Sequence, residues 1–243
     1  MKRLKLEGVI VPLLTPLRPD ESLDEAGLER LIEHTLKGGA SGVFLLGSTG
    51  EFALLSHETR FHLIRAARRI IKGRVPVLVG ISEPGTRSAI AFGRRVVELG
   101  AEAVVATAPF YYNHSQTDLV AHFAAIAEDV AGPLVLYNIP RNVKVSLAAE
   151  TVKRLMEIPN IIGLKDSAGE LERAWRLQAQ IGELISIHKH KSGPAGIKAA
   201  CHLMGLCGPT AAAPFEELSE EQVAQVRQTL VGLELLPHAS PPL

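Results

Sequence analysis

Short apolar runs rich in β-branched side chains recur along the chain: Val9–Leu14, Val43–Leu46, Val75–Val79, Ala103–Ala106, Leu134–Tyr137, Ile161–Leu164 and Leu184–Ile187. They are mostly apolar without alternation, the pattern of parallel strands buried on both faces. Longer amphipathic stretches separate them. Leu23-Asp24-Glu25 opens a helix with Leu28, Leu31, Ile32 and Thr35 on one stripe, and Ser56 caps another with Glu58 in its first turn. Gly38-Gly39, Gly73, Gly100, Gly132 and Gly182 are expected to close helices as glycines just past the last turn. One apolar run follows another every ~25–35 residues, so the unit is a repeated βα, and its regularity predicts a (β/α) barrel of the TIM type over an open doubly wound sheet. Seven strands are counted, which predicts an incomplete barrel. Beyond Ile187 only helices are expected, Pro194–Leu206 and Ser219–Leu233, the second opened by the capping box Ser219-Glu220-Glu221-Gln222. The expected division is a barrel over 1–192, a helical segment packed on it over 193–236, and a frayed, Pro-rich tail over 237–243.

Composition narrows the function. The 243 residues suit a single barrel, which takes ~250. With 47% hydrophobic and 21% charged residues the chain can bury a core and is not disordered. Lys+Arg and Asp+Glu both number 26 and no basic block occurs, which argues against nucleic acid as a partner. The apolar runs are strand-sized, short of the ~20 residues that span a bilayer, and no apolar stretch follows the basic start of a secretory signal. Cys201 and Cys207 are too few for a disulfide framework or a Cys-rich metal site, and on a continuous helix six residues would turn them apart. A cytoplasmic enzyme is the simplest expectation.

In a βα barrel the chemistry sits at the C-terminal ends of the strands. There the second run ends in Gly47-Ser48-Thr49-Gly50-Glu51, where glycines admit a close ligand and two hydroxyls suit a carboxylate or phosphate. A tight turn explains the same residues equally well. The fourth run leads into Pro109-Phe110-Tyr111-Tyr112-Asn113, and packing explains that tyrosine pair as well as chemistry does. Tyr137 ends the fifth run, either as a proton relay or as core with a wet tip. Lys165 follows the sixth directly. Desolvated, its amine would be a nucleophile toward ketones; paired with Asp166 or reaching solvent, it would be inert. All four lie on one face of one barrel. His188 and His190 mimic a metal arm but are flanked by lysines, and Gly80 with Gly85 opens no G-x-G-x-x-G, so neither a metal nor a dinucleotide is expected.

These segments resemble the pyruvate-dependent class I aldolases of the dihydrodipicolinate synthase and N-acetylneuraminate lyase family: Gly47–Glu51 its G-[ST]-T-G-E, Tyr137–Pro140 its Y-N-x-P, and Gly163–Ser167 its G-x-K-[DE]-[ST]. The resemblance runs over residues ~8–190 and resumes at Gly193–Leu218. It implies that Lys165 forms a Schiff base with pyruvate. It implies that Ser48 and Thr49, with Gly47 and Gly50, hold the pyruvate carboxylate, and that Tyr137, with Ser48, moves the proton. Tyr111 would be lent across a subunit interface of a homo-oligomer, a dimer or tetramer. The partner is a small aldehyde or a 2-oxo acid, and no cofactor or metal is called for.

Two departures shape the expectation. Where the family's diaminopimelate-pathway synthases read Y-N-x-P-S-R-T-G, this chain reads Tyr137-Asn138-Ile139-Pro140-Arg141-Asn142-Val143-Lys144, with Asn142 at the arginine position and Arg141 one place early. In an extended segment Arg141 would point the other way, which favours an acceptor other than aspartate semialdehyde. The family also has about fifty residues between Ile187 and Pro194, an eighth strand with flanking helices, that this chain lacks. An open barrel of that kind is expected to be oligomeric or marginally stable. Competing with an active aldolase are a catalytically impaired member that binds pyruvate or serves as an assembly subunit, and a barrel enzyme that binds phosphate at Gly47–Gly50.

Overall fold

The computed structural model describes residues 4, 6–169, 194–233, 235 and 236. Six strands alternate with helices: β1 Ile10–Pro12, α1 Glu25–Lys37, β2 Gly42–Leu45, α2 His57–Ile71, β3 Val77–Gly80, α3 Thr86–Glu98, β4 Ala103–Thr107, α4 Gln116–Asp129, β5 Leu134–Asn138, α5 Pro140–Val143, α6 Ala149–Leu155 and β6 Ile161–Asp166. Two further helices follow, α7 Ala195–Leu203 and α8 Glu220–Gly232. The strands pair in parallel in chain order and curl into half a barrel. Every residue of β2 to β5 is buried, which is why these strands read as unbroken apolar runs. The expected seventh strand, Leu184–Ile187, lies outside the described residues, as do His188, His190 and Gly182.

Local chemistry sets the boundaries. Asp24 caps α1 by accepting from the Gly27 amide, Ser56 caps α2 from Thr59, and both Ser115 with Asp118 and Ser219 with Gln222 close reciprocal capping boxes. Gly39, Gly73 and Gly100 take the left-handed conformation expected past a helix end. Gly132 does not: Val130, in extended conformation, ends α4, and Gly132 only turns the chain into β5. Gly80 is required for another reason, since a Cβ there would lie 2.1 Å from the Leu46 carbonyl oxygen.

Helix α7 and the residues after it return to the β1 edge of the sheet, and α8 packs on α7. Ile197, Cys201 and Leu206 pack with Leu14, Leu31 and Cys207, and Arg30 donates to the Leu206 carbonyl. The two cysteines do not diverge. Helix α7 stops at Leu203, Gly205 (φ 72°) reverses the chain, and Cys201 and Cys207 share a hydrogen bond as free thiols. That bond and burial push the Cys201 thiol up, while the same bond lowers Cys207.

Candidate active site

Strand β6 runs two residues farther than its apolar run, because Lys165 and Asp166 pair with Tyr137 and Asn138 of β5. Lys165 is therefore a strand residue, not one that follows a strand. Paired residues of parallel neighbours share a sheet face, so register sets the lysine beside the tyrosine. Lys165 Nζ lies 3.9 Å from the centre of the Tyr137 ring and 6.0 Å from that of Phe44, and it donates to Ser167 Oγ at 3.2 Å. Asp166 turns instead to Asn138 Nδ2 (3.0 Å) and the Ala168 amide (2.9 Å). Asn138, itself buried, accepts from the Leu147 amide at Oδ1, and its carbonyl accepts from the Ser167 amide. The end of β6 is thus fixed from β5.

Tyr137 is 5% exposed, and its phenol meets Lys165, Ser48 and Ser167. Burial alone would raise its pKa, but the hydrogen bond and positive charge of Lys165, helped by the two serines, more than offset it and hold the phenol below its ordinary value. The ring of Tyr137 is core, edge-on to Phe44 at 6.3 Å, and its hydroxyl stands among polar groups.

The Gly47–Glu51 segment is a pair of tight turns, with Gly50 donating to the Gly47 carbonyl (3.0 Å) and Glu51 to that of Ser48 (3.2 Å). Thr15 Oγ1 donates to the Gly50 carbonyl at 2.7 Å. A Cβ on Gly50 would come within 3.1 Å of the Leu13 carbonyl, so the glycine lets the turn seat on the end of β1. Ser48 and Thr49 stand half-buried at the rim.

A cleft of ≈ 370 Å³ opens beside this cluster, lined by Ser48, Phe52, Thr107, Phe110, Arg141 and Asn142 among others. The segment after Tyr137 is not extended. Helix α5 forms over Pro140–Val143, so Arg141 and Asn142 both line the cleft, and the expectation that Arg141 points away is corrected. The structure brings Lys165, Tyr137 and Ser48 together, with Thr49, Gly47 and Gly50 in the adjoining turn. Tyr111 stays outside, 85% exposed and edge-on to Tyr112. The chain's sequence did not single out Phe44, Asn138 or Ser167 as parts of the site; Asn138 and Ser167 lay in the motifs, whereas Phe44 reads as ordinary strand core. Among the described residues no group of three or more His, Cys, Asp or Glu side chains is set to hold a metal, and no helix is long and apolar enough to cross a membrane.

The chain matches the dihydrodipicolinate synthetase family over residues 5–188 and again over 167–232. It is 30% identical over 281 residues to the 4-hydroxy-tetrahydrodipicolinate synthase of Alkalilimnicola ehrlichii, covering 92% of this chain and 97% of that one. To the enzyme of the same name from Xanthomonas axonopodis pv. citri it is 40% identical over 205 residues, covering 84% and 67%. An alignment of 281 residues on a chain of 243 carries long gaps on this chain's side, in keeping with a missing internal segment. The fold matches a crystal structure of dihydrodipicolinate synthase from Acinetobacter baumannii complexed with pyruvate, with a TM-score of 0.90, 27% identity and coverage of 96% and 100%. It also matches a prophage protein of that family from E. coli K12 in complex with pyruvate, with a TM-score of 0.86, 26% identity and coverage of 94% and 99%. The βα repeat, the motifs at the strand ends and these likenesses agree: the chain belongs to the dihydrodipicolinate synthetase family.

Proposed function

We propose that this protein is a Schiff-base aldolase or lyase that forms an imine between Lys165 and pyruvate. The observation that carries the reading is the contact of Tyr137 with both Lys165 and Ser48. An imine needs a neutral amine: ionised as phenolate, which its lowered pKa favours, Tyr137 takes the ammonium proton, and the phenol so formed returns it to the hydroxyl that leaves as water. The resulting iminium draws electrons from the methyl carbon, which loses a proton and becomes the enamine nucleophile toward an aldehyde. In the reverse direction Lys165 forms the iminium with the 2-oxo-4-hydroxy acid; the 4-hydroxyl loses its proton and becomes the aldehyde, and the electron pair of the broken C3–C4 bond passes into the iminium to give the enamine. On this reading Ser48 and Thr49 hold the carboxylate, so the ketone is oriented before it reacts. Arg141 and Lys144 line the adjacent cleft and favour an acceptor that carries an anionic group. Tyr111 acts, on this reading, only when a second subunit receives it.

A second reading, pyruvate binding with impaired turnover, is favoured by the exposure of β6: Leu164 is 39% exposed, in contrast to the wholly buried strands β2 to β5. One experiment separates the two. Protein incubated with pyruvate and borohydride is digested and the adduct located by mass spectrometry, while release of pyruvate from 2-oxo-4-hydroxy acids is assayed in parallel. An adduct on Lys165 with turnover supports the aldolase, and an adduct without turnover supports the impaired member. No adduct, or one spread over surface lysines, sinks both.

A further inference from the structure

Away from the reacting groups, one charged pair is completely shut off from solvent. Lys198, on α7, and Glu51, the last residue of the Gly47–Glu51 turn, are each 0% exposed, with Lys198 Nζ 2.5 Å from Glu51 Oε1. Every remaining strong contact of the pair goes to backbone. Lys198 donates to the Thr210 carbonyl at 2.7 Å, and Glu51 Oε2 accepts from the Ala212 amide at 2.7 Å. Burying two charges is costly, and an apolar pair of the same size would hold a helix to a loop at least as well. What the ions add is a fixed geometry. Glu51 has φ 59°, a backbone conformation that a residue with a Cβ adopts only when its surroundings impose it. Its amide donates to the Ser48 carbonyl, so the residue locked by Lys198 closes the turn that carries Ser48. Thr15 pins the preceding residue through the Gly50 carbonyl.

We propose that Lys198 is a positioning residue of the pyruvate site: through Glu51 it fixes the turn after β2 so that Ser48 stays beside Tyr137 at the edge of the cleft. The C-terminal segment, then, does more than cover apolar surface, since α7 reaches the reacting groups through one side chain. The proposal rests on the reading of Ser48 and Tyr137 as the pyruvate site, and its test has one readout independent of pyruvate. Lys198→Met leaves Glu51 charged and unpartnered and risks unfolding, so Glu51→Gln with Lys198→Met, which removes both charges, is measured beside it after circular dichroism confirms the fold. The Tyr137 titration is followed by NMR of ring-labelled tyrosine, and the pyruvate concentration for half-maximal borohydride trapping of Lys165 is measured on the same proteins.

In the folded double variant the Tyr137 pKa is expected to move up towards the ordinary phenol value and half-maximal trapping to need about 10-fold more pyruvate. Lys198→Arg, which keeps the charge, is expected to recover part of both. Adding Ser48→Ala to the double variant is expected to move the titration no further, because both changes break one link. Should the wild-type protein trap no pyruvate while the titration still shifts, the pyruvate reading fails and the positioning role stands. An unmoved titration in the folded double variant, or a full additional shift on adding Ser48→Ala, overturns the proposal.

Discussion

Two loops at the same end of the sheet, after β2 and after β4, are built in opposite ways. The first holds Leu46 and Glu51 at positive φ, 56° and 59°, and the second holds Tyr111 at 88°. Glu51 is buried, and the chain supplies every partner that holds it: Lys198 and the Ala212 amide, with Thr15 on the residue before. Tyr111 is 85% exposed and touches Tyr112, itself 72% exposed, while Phe110 just before it turns inward to meet Phe52 edge-on at 6.1 Å. The first loop is complete within one chain. The second presents an aromatic pair, Tyr111 of which holds an unfavourable backbone conformation that nothing within the described residues accounts for. Strain held without a local reason suits a residue whose partner is another molecule. The proposed relay thus draws on two levels of organisation, Tyr137 from within the chain and Tyr111 only from an assembly, and that contrast is open to test.

The largest effect expected from breaking this contrast is on turnover. Tyr137→Phe keeps the ring against Phe44 and removes the hydroxyl that meets Lys165, Ser48 and Ser167, so turnover is expected to fall ~10²–10⁴-fold while some imine still forms. Tyr111→Phe is expected to leave imine trapping unchanged in protein diluted far enough to part any assembly. Steady-state assays and borohydride trapping on both variants decide it. If Tyr111→Phe lowers trapping in dilute protein as far as Tyr137→Phe does, the two loops are not different in kind.

Stability separates the loops next. Lys198→Ala strands the Glu51 carboxylate in a water-free site and is expected to cost about 3–5 kcal/mol in urea unfolding. Tyr112→Ala, at a surface position, is expected to change it by less than about 0.5 kcal/mol. Equal costs would show that the exposed pair is packed after all.

What the sequence revealed follows the range of each interaction. Strands β2 to β5 were legible because burial on both faces leaves an unbroken apolar run, and the Ser219–Gln222 box because its two bonds span three residues. The end of β6 was not, since Lys165 and Asp166 are polar and only pairing with Tyr137 and Asn138 makes them strand. The contact of Cys201 with Cys207 depended on Gly205 ending the helix between them. Lys198 carried no signal at all: a lysine on a helix reads as a surface residue until a carboxylate from the far end of the chain is placed against it. Lys165, Tyr137 and Ser48 could be singled out because each stands at the end of an apolar run or just past it, and topology brings such positions to one face.

A smaller effect comes from beneath the second loop. His122 on α4 is buried, its Nδ1 2.9 Å from Thr86 Oγ1, and it also bonds the backbone of Thr107, which lines the cleft. Burial lowers its pKa from 6.5 to about 4, against the opposing bond to Thr107 and with some help from His114. The imidazole therefore folds neutral. Between pH 6.5 and about 4 the unfolded chain binds a proton that the folded one refuses, so this contribution is complete above pH 6.5 and is lost as pH falls toward 4. The loss amounts to about 3 kcal/mol. Urea unfolding at a series of pH values should show that slope, and His122→Gln should flatten it relative to the wild type; an unchanged difference between the two proteins across this window would remove His122 as the acid-sensitive footing of the loop.

The finest discrimination comes from placing glycine at Glu51 and at Tyr111. Glycine removes the left-handed penalty of about 1–2 kcal/mol and costs about 0.5–1 kcal/mol in backbone entropy, so relief of strain alone is close to neutral or slightly stabilising. At Glu51 that gain is overwhelmed, because Glu51→Gly also leaves Lys198 buried without its carboxylate. At Tyr111 nothing buried is lost, so Tyr111→Gly is expected to stay within about 1 kcal/mol of the wild type, and on the stabilising side, in dilute protein. The informative variable is protein concentration. If the tyrosine is seated on a second copy of the chain, the wild-type midpoint rises with concentration while that of Tyr111→Gly rises less, since binding to the folded state adds stability only where the contact exists. Thermal melts across a hundredfold range of concentration read both slopes. Parallel slopes for the two proteins would mean that Tyr111 takes no part in an assembly, and its backbone conformation would then have to be explained within the single chain.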